Sequence, residues 1–477
     1  MDVELSHGER KMQVSLPDTA TVVRYGQTYA DRLAPLADPS EAVRAALRAP
    51  LGMAPLRELA GPGRRAVIGF PDRVKGGNHP GAHRRVSIPV IVEELLAGGC
   101  RIGDITLLCC MGLHRKNTVE EWRSYLGDAI VDLFGPDRIV NHDAEAEDLL
   151  SLGLDAMGNP IQCNRLIAEA DIPIVLGHVS GNPYGGFSGG YKMIATGIAG
   201  WQSIAAHHCP QTMHRADWLG ASTKSRMRIQ FRSIGETMEE RIGKRFFAVD
   251  AVLGNGASPV FFAAGHLAEV EKATWPLATQ LTDVMVPMTE KADVLAFGLP
   301  RDFHYGPGMG TNPLLMALAI SGQMSRCWGA FREGGVVIAS ALCDGWFNED
   351  WFPSYRRTFE EFQDFATAAD YLESQAAADL TCDIDYRRMY RENFTYHPFH
   401  AMSMLSGAAV STQRCAAVYI VGARRPGIAR AMGFRTANSF EQALKDAQRY
   451  VGQNPRILCT PECFSGQAPI HLKLGSA

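Results

Sequence analysis

The sequence predicts an α/β protein of two domains with mainly parallel sheets and an active site in the cleft between them. Three observations carry that expectation. At 477 residues the chain exceeds what one hydrophobic core ordinarily organises, and no repeat or low-complexity block absorbs the excess. Short apolar runs alternate with longer stretches of helical periodicity, as they do in a parallel sheet covered by helices. Polar, glycine-rich segments follow several of those runs, where the carboxyl ends of parallel strands open crevices for ligands.

Taken in order, the chain opens on a lead-in with a strand at Thr21–Arg24 and a helix in PSEAVRAALRAP, behind a cap at Asp38-Pro39-Ser40. From Arg65 the strands RRAVIGF, DITLLCCMG, RIVNH and DIPIVLG are interleaved with the helical patterns IPVIVEELLAGG and TVEEWRSYLG. A second unit starts near Lys291 with strand KADVLAFG, helix NPLLMALAISGQM and strand REGGVVIAS, and continues through AAVYIVG, SFEQALKDAQRYVG and PRILCTPE. The expected domains are therefore 1–285 and 286–477, the second closing over the substrate. Residues 345–400, rich in aromatics and charges with helices such as TFEEFQDFATAADYLE, read as a lid or an interface.

Composition narrows the function. A hydrophobic content of 46%, a charged content of 21% and a net charge of -4 give a surface without sign bias, which argues against nucleic acid as a partner. The segment MDVELSHGERK has no apolar core of a signal peptide, and no stretch reaches the roughly 18 apolar residues of a membrane span. A cytoplasmic protein without a membrane partner is expected. Eleven cysteines lie scattered without CxxC pairs, against a disulfide framework or a thiolate zinc site. Cys109 and Cys110 read as core residues, whereas Cys209 adjoins His207 and His208. The absence of GxGxxG after VIGF and of HExxH argues against a nicotinamide dehydrogenase and a zinc hydrolase.

Four loops follow strands and can hold chemistry: PDRVKGGNHPGAH, GLHRKN, HVSGNPYGGFSGGYK and GLPRDFHYGPGMGTN. In the third, Tyr184-Gly185-Gly186-Phe187-Ser188-Gly189-Gly190-Tyr191-Lys192 offers backbone amides and an ammonium to a phosphate, or simply makes a tight turn. Its spacing is not that of a Walker loop. His208 follows Lys192 by sixteen residues in AGWQSIAAHHCP, read as a helix ending near Pro210. A neutral imidazole there suits nickel or copper better than magnesium. His207 and His208 cannot both face one pocket from a helix, so His208 is taken as the ligand.

Seven stretches in order give a specific resemblance: Pro55-Leu56-Arg57-Glu58-Leu59, Asp72, GLHR at 112–115, VNHDA at 140–144, DIPIVLG, GFSGG-x-K at 186–192, and GIAG followed by His208. Over nearly the whole length the chain resembles the lactate racemases and their relatives that use a nickel-pincer nucleotide. The resemblance implies that Lys192 tethers or contacts the nucleotide, that His208 ligates nickel, and that Asp72, Ser188, Gly189 and Gly190 help bind the cofactor. It makes His114 the first acid/base group. The family's Asp-x-Thr-Arg falls on Asp72-Arg73-Val74-Lys75, so that Lys75, a point charge, stands where a planar fork would hold the substrate carboxylate.

The second acid/base histidine falls on Asn182, whose amide cannot accept a proton near neutral pH. His178 is the nearest replacement, with His79 and His83 as further candidates. No clean counterpart of the family's Tyr-Gln-x-x-Lys patch follows Pro300; Arg301, His304 and Tyr305 are the candidates for it. The implied function is racemisation or epimerisation of a 2-hydroxy acid other than simple lactate, by hydride transfer to and from the cofactor. The alternatives are a one-sided hydride-transfer oxidoreductase and a non-catalytic binder of cofactor or nickel. Expected partners are the small-molecule substrate and the enzymes that synthesise the cofactor.

Overall fold

The computed structural model describes residues 1–25, 33–302, 305, 308, 310–464 and 470–475. Two sheets organise it. In chain order the strands that build them are β1 (Asp2–Gly8), β2 (Arg10–Ser15), β3 (Thr21–Val22), β4 (Ala66–Pro71), β5 (Ile105–Cys110), β6 (Ile139–Asn141) and β7 (Ile172–Val179). There follow β8 (Phe247–Leu253), β9 (Pro259–His266), β10 (Ala292–Pro300), β11 (Phe331–Ser340), β12 (Ala417–Val421), β13 (Arg435–Ala437) and β14 (Ile457–Thr460).

The first sheet runs β9-β8-β7-β4-β5-β6, parallel throughout except for the β8–β9 hairpin at its edge. All six residues of β4 and all eight of β7 are buried, as a strand covered on both faces requires. Helix α1 (Pro39–Arg48) begins at Asp38, whose side chain accepts the Glu41 amide, and helix α2 (His83–Ala97) packs beside it. Cys109 and Cys110 are core residues, as expected.

The second sheet runs β13-β12-β11-β10-β1-β2, with β14 pairing both β10 and β3. Here the structure corrects the expected division of the chain: the lead-in strands do not accompany residues up to 285 but join the other sheet. The β1–β2 hairpin sits against the end of β10, in parallel register His7 with Leu299 and Gly8 with Pro300. Val3, Leu5 and Val14 thereby bury against Val294, Ala296 and Ile338. Alternation along β1 announces one buried face, but which sheet covers it is a long-range choice that local pattern does not encode.

Helix α3 (Arg226–Ile242) and helix α4 (Leu267–Thr282) complete the first domain, while α5 (Pro313–Cys327) and α6 (Pro398–Ala408) belong to the second. Asn312 caps α5 by accepting the Leu314 and Leu315 amides. Ser321 of α5 donates to the Ala408 carbonyl of α6 at 2.7 Å, and the two helices present Leu315, Leu318, Ala319, Gly322 and Arg326, and His400, Ser403 and Met404, to one cavity. Both sets keep the three-and-four spacing of a single helix face. The stretch expected as one helix from Thr358 is two, Tyr355–Phe362 and Ala368–Leu372, because Thr367 caps the second with the Asp370 amide. No described helix is long and apolar enough to cross a membrane.

Candidate active site

The ends of β4, β5 and β7 from one domain and α5 and α6 from the other enclose a cavity of about 430 Å³. That volume suits a small-molecule ligand. Its lining holds one carboxylate, Asp72, against three cationic chains, Lys75, Lys192 and Arg326, so anionic groups are its natural occupants.

The loop after β4 is shaped by Arg84, whose buried guanidinium bonds the carbonyls of Pro71, Asp72 and Gly77 and lies 4.1 Å from the Tyr125 ring centroid. This sets Asp72 beside His114, whose Nδ1 stands 2.7 Å from the carboxylate. Burial acts to raise the Asp72 carboxyl, but His114, Lys75 and Arg84 together bring it below its ordinary value. An ionised Asp72 accepts a hydrogen bond from Nδ1–H and so leaves Nε2 of His114 as the basic atom. Asp72, expected among the cofactor-binding residues, thus has a more specific task in orienting the base. Lys75 lines the same corner, and burial lowers its ammonium while Asp72 opposes the shift. Gly112, ahead of His114, has φ +55°, and a Cβ there would come within 2.6 Å of the Thr196 carbonyl; the loops carrying His114 and Lys192 approach that closely.

The glycine-rich loop departs from the phosphate-cradle expectation. The amide of Gly190 donates to Asp250 Oδ2 and that of Tyr191 to Glu271 Oε1, each at 2.8 Å, and Glu271 is paired in turn with buried Arg228. Gly190 therefore faces the carboxylates and not the cavity, where a Cβ would meet Glu271 Oε1 at 2.0 Å. Ser188 and Gly189 do line the cavity, but the Ser188 hydroxyl is given to the His178 carbonyl at 2.7 Å. The amides hold the loop in place, and the chain turns into a π-helical segment, Met193–Gly197, that aims Lys192 inward. Burial, with Lys75 and Arg228 nearby, drives the Lys192 ammonium well below its usual range, a shift that favours the amine form a nucleophile needs.

A pH dependence of stability follows from this support. Burial pushes the Asp250 carboxyl up to about 7, Glu271 adds to the rise, and the Gly190 amide and Arg228 offset part of it. The folded state then binds a proton that the unfolded chain, near the ordinary 3.8, has released. Stability contributed by this group is present at low pH and falls as pH rises through about 7. Relative to wild type, Asp250→Asn is expected to gain melting temperature progressively between about pH 5 and 8. Parallel thermal scans across that range check it; parallel curves count against it.

His208 lies beyond the helix Trp201–Ala205, in the turn before Pro210. His207 is buried, with Nε2 3.1 Å from the Ala195 carbonyl and Nδ1 2.7 Å from Nδ1 of His208. A carbonyl accepts only, so His207 Nε2 carries the proton; its Nδ1 is then an acceptor and His208 Nδ1 the donor. Burial lowers His207 to about 3, which keeps that ring neutral. The bare nitrogen of His208 is therefore Nε2, which has no hydrogen-bond partner among the described residues. His207, expected to be structural, sets the tautomer of its neighbour. The Tyr184 ring stacks on His208 at 5.5 Å and 17°, and the Lys192 Nζ lies 5.4 Å from the same ring centroid.

The remaining expected residues divide. Tyr305 lines the cavity, edge-on to His114 at 5.6 Å. Asn182 and His178 also line it: Asn182 Oδ1 accepts the Tyr184 amide at 2.8 Å, and burial holds His178 neutral. Arg301 is a correction. Its guanidinium lies 3.2 Å from both Asp344 and Glu9, outside the cavity, because the β1–β2 hairpin brings Glu9 to the end of β10. His304 lies outside the described residues. His79 and His83 point elsewhere, to the Ala257 carbonyl and to Ser87 with the Val249 carbonyl. Within the resembling motifs, Arg115 pairs with Glu121 over Trp351, and His142 bonds the Ala199 carbonyl; both serve structure. Arg326 and His400 are cavity residues that sequence reasoning missed, each on a helical stripe that reads as core.

Residues 7–219 match the lactate racemase N-terminal domain family. The lactate racemase of Thermoanaerobacterium thermosaccharolyticum is 24% identical over 368 residues, 76% of this chain and 79% of the relative. The lactate racemase of Lactiplantibacillus plantarum is 25% identical over 348 residues, 71% and 74% respectively. The solved lactate racemase apoprotein from the former organism superposes with a TM-score of 0.68 at 20% identity, covering 99% of this chain and all of that one. A Thermotoga maritima protein of known structure follows at 0.55 and 14%, covering 93% and all. The chain thus carries a match to the lactate racemase N-terminal domain over residues 7–219 and is similar to the lactate racemases over most of its length.

Proposed function

We propose that the protein is a racemase or epimerase of a 2-hydroxy acid bulkier than lactate or differently charged, working with a nickel-pincer nucleotide. The observation that carries this reading is the meeting of Lys192 and His208 around one Tyr184 ring, in a cavity shared with the Asp72–His114 pair. The residues fit the cofactor: a bare imidazole nitrogen for nickel, a lysine that burial shifts toward its amine form for the nucleotide, and Lys75 and Arg326 as cationic surroundings for its phosphate. Once bound, the group supplies a pyridinium-class hydride acceptor beside a metal.

The protein's own contributions follow from the lining. Lys75, or Arg326 from α5, holds the carboxylate, and His114 Nε2 takes the hydroxyl proton as C2 gives up hydride. The resulting planar 2-oxo acid accepts hydride on either face. The apolar stripe of Leu315, Leu318 and Met404 leaves room for a substrate side chain larger than methyl. Asn182 favours a second reading, a one-sided hydride transfer, since its amide accepts no proton.

A chiral assay separates the two. Protein matured with the cofactor-synthesising enzymes is expected to invert a larger 2-hydroxy acid faster than lactate, and unmatured protein to invert neither. Lactate racemised as fast as any larger acid would overturn the substrate reading; oxidation without inversion would favour the one-sided reaction.

A further inference from the structure

We propose that His400 is the second proton-transferring side chain of the site, in the place that Asn182 leaves vacant. The assignment rests on the racemase reading above. His400 enters the cavity from α6, in the domain opposite the one that carries His114, and its ring centroid lies 5.4 Å from that of His114 with the planes at 79°. The imidazole is only 2% exposed, yet Nε2 has no hydrogen-bond partner among the described residues. A buried polar atom without a partner costs free energy unless a ligand completes it. Its other nitrogen, Nδ1, stands 2.7 Å from the buried phenol of Tyr355.

That phenol makes the ring usable in both directions. With the Tyr355 hydroxyl donating to Nδ1, Nε2 carries a proton and can give it up; with Nδ1–H donating to the phenol oxygen, Nε2 is the acceptor. His178, the other neutral imidazole in the lining, lacks such an orienting bond among the described residues, and its electrostatic neighbours are Lys75, His83, Arg84 and Lys192, not His114. An acid/base group needs an orienting partner as well as proximity.

The chemistry balances with two histidines. For one enantiomer His114 would take the hydroxyl proton; the bound cofactor would supply the acceptor for the C2–H electron pair, leaving as hydride, and the C2–O bond would become a carbonyl. The 2-oxo acid turns so that its oxygen passes from His114 to His400. Hydride returns to the other face of C2, and His400 supplies the proton that restores the hydroxyl. Starting from the opposite enantiomer, the roles exchange, and no electron is gained or lost over the cycle.

The test uses the cofactor-loaded protein in single turnovers with each enantiomer of lactate, 3-phenyllactate and malate. His400→Gln should slow reduction of the cofactor by one enantiomer at least about 100-fold and spare the other, and His114→Gln should show the reverse preference. Tyr355→Phe, which keeps the imidazole and the packing, should slow single-turnover reduction of the cofactor about tenfold for the same enantiomer as His400→Gln and spare the other, and lower steady-state kcat equally in both directions. In cofactor-free protein the imidazole 15N signal of His400 should move when these acids are added, a readout that needs no turnover. Equal losses for both enantiomers in His400→Gln, or a selective loss in His178→Gln instead, overturn the assignment. A wild-type protein with verified nickel and nucleotide that reacts with none of the three acids overturns the racemase reading, and this assignment with it.

Discussion

Lys192→Ala is expected to yield a folded protein that no longer captures the nucleotide, with loss of all racemase activity. The reason is local: Lys192 is the lysine that the glycine-rich loop carries into the cavity, and burial beside Lys75 and Arg228 shifts it toward the amine form. Lys192→Arg sharpens the result. A guanidinium keeps charge and reach but does not deprotonate, so it preserves a purely ionic contact and destroys a nucleophilic one. His208→Ala should separate metal from nucleotide, retaining the organic mass while nickel falls to background. Intact mass and metal analysis of protein made with and without the cofactor-synthesising enzymes reads all three variants. Nucleotide retained at wild-type level by Lys192→Ala would remove the central support of the proposed function.

The second large effect concerns the base. His114→Gln and Asp72→Asn should each lower kcat by about 10²- to 10⁴-fold while nickel and nucleotide remain bound. Gln fills the space of the imidazole without accepting a proton. Asn at 72 can donate to Nδ1 and so turn the ring to the tautomer whose Nε2 is protonated. The two losses should not add in the double variant, because they remove one Asp72–His114 unit joined at 2.7 Å. A protein that merely stores cofactor or nickel has no activity for these changes to lower. Loss of the cofactor itself in Asp72→Asn would return that carboxylate to the cofactor-binding role that the resemblance implies.

Much of the molecule is legible in the chain because its signals are local. Largely apolar, fully buried strands such as β4 and β7 are followed at once by the polar loops that carry Asp72 and Asn182, so period and punctuation place those residues at strand ends. The motif GFSGG-x-K was legible as a loop delivering a lysine, but not in its hydrogen bonding. Whether the Gly190 amide meets a phosphate or Asp250 depends on β8, sixty residues further along. His400 shows the opposite failure: on the apolar face of α6 it has the pattern of a core histidine, and only a cavity on that face gives its Nε2 something to do.

By itself, then, the sequence determined the two-domain α/β class, the resemblance to the lactate racemases, and the choice of Lys192, His208 and His114 as candidates, which the structure brings to one cavity. Tertiary structure alone decided that β1–β3 cross to the second sheet, that Arg301 is spent on Asp344 and Glu9, that His207 fixes the proton on His208, and that Arg326 and His400 reach the cavity. The physical reason is range. Periodicity and turn chemistry are written within a few residues, whereas hydrogen-bond partners and shared cavities depend on which buried faces meet across hundreds.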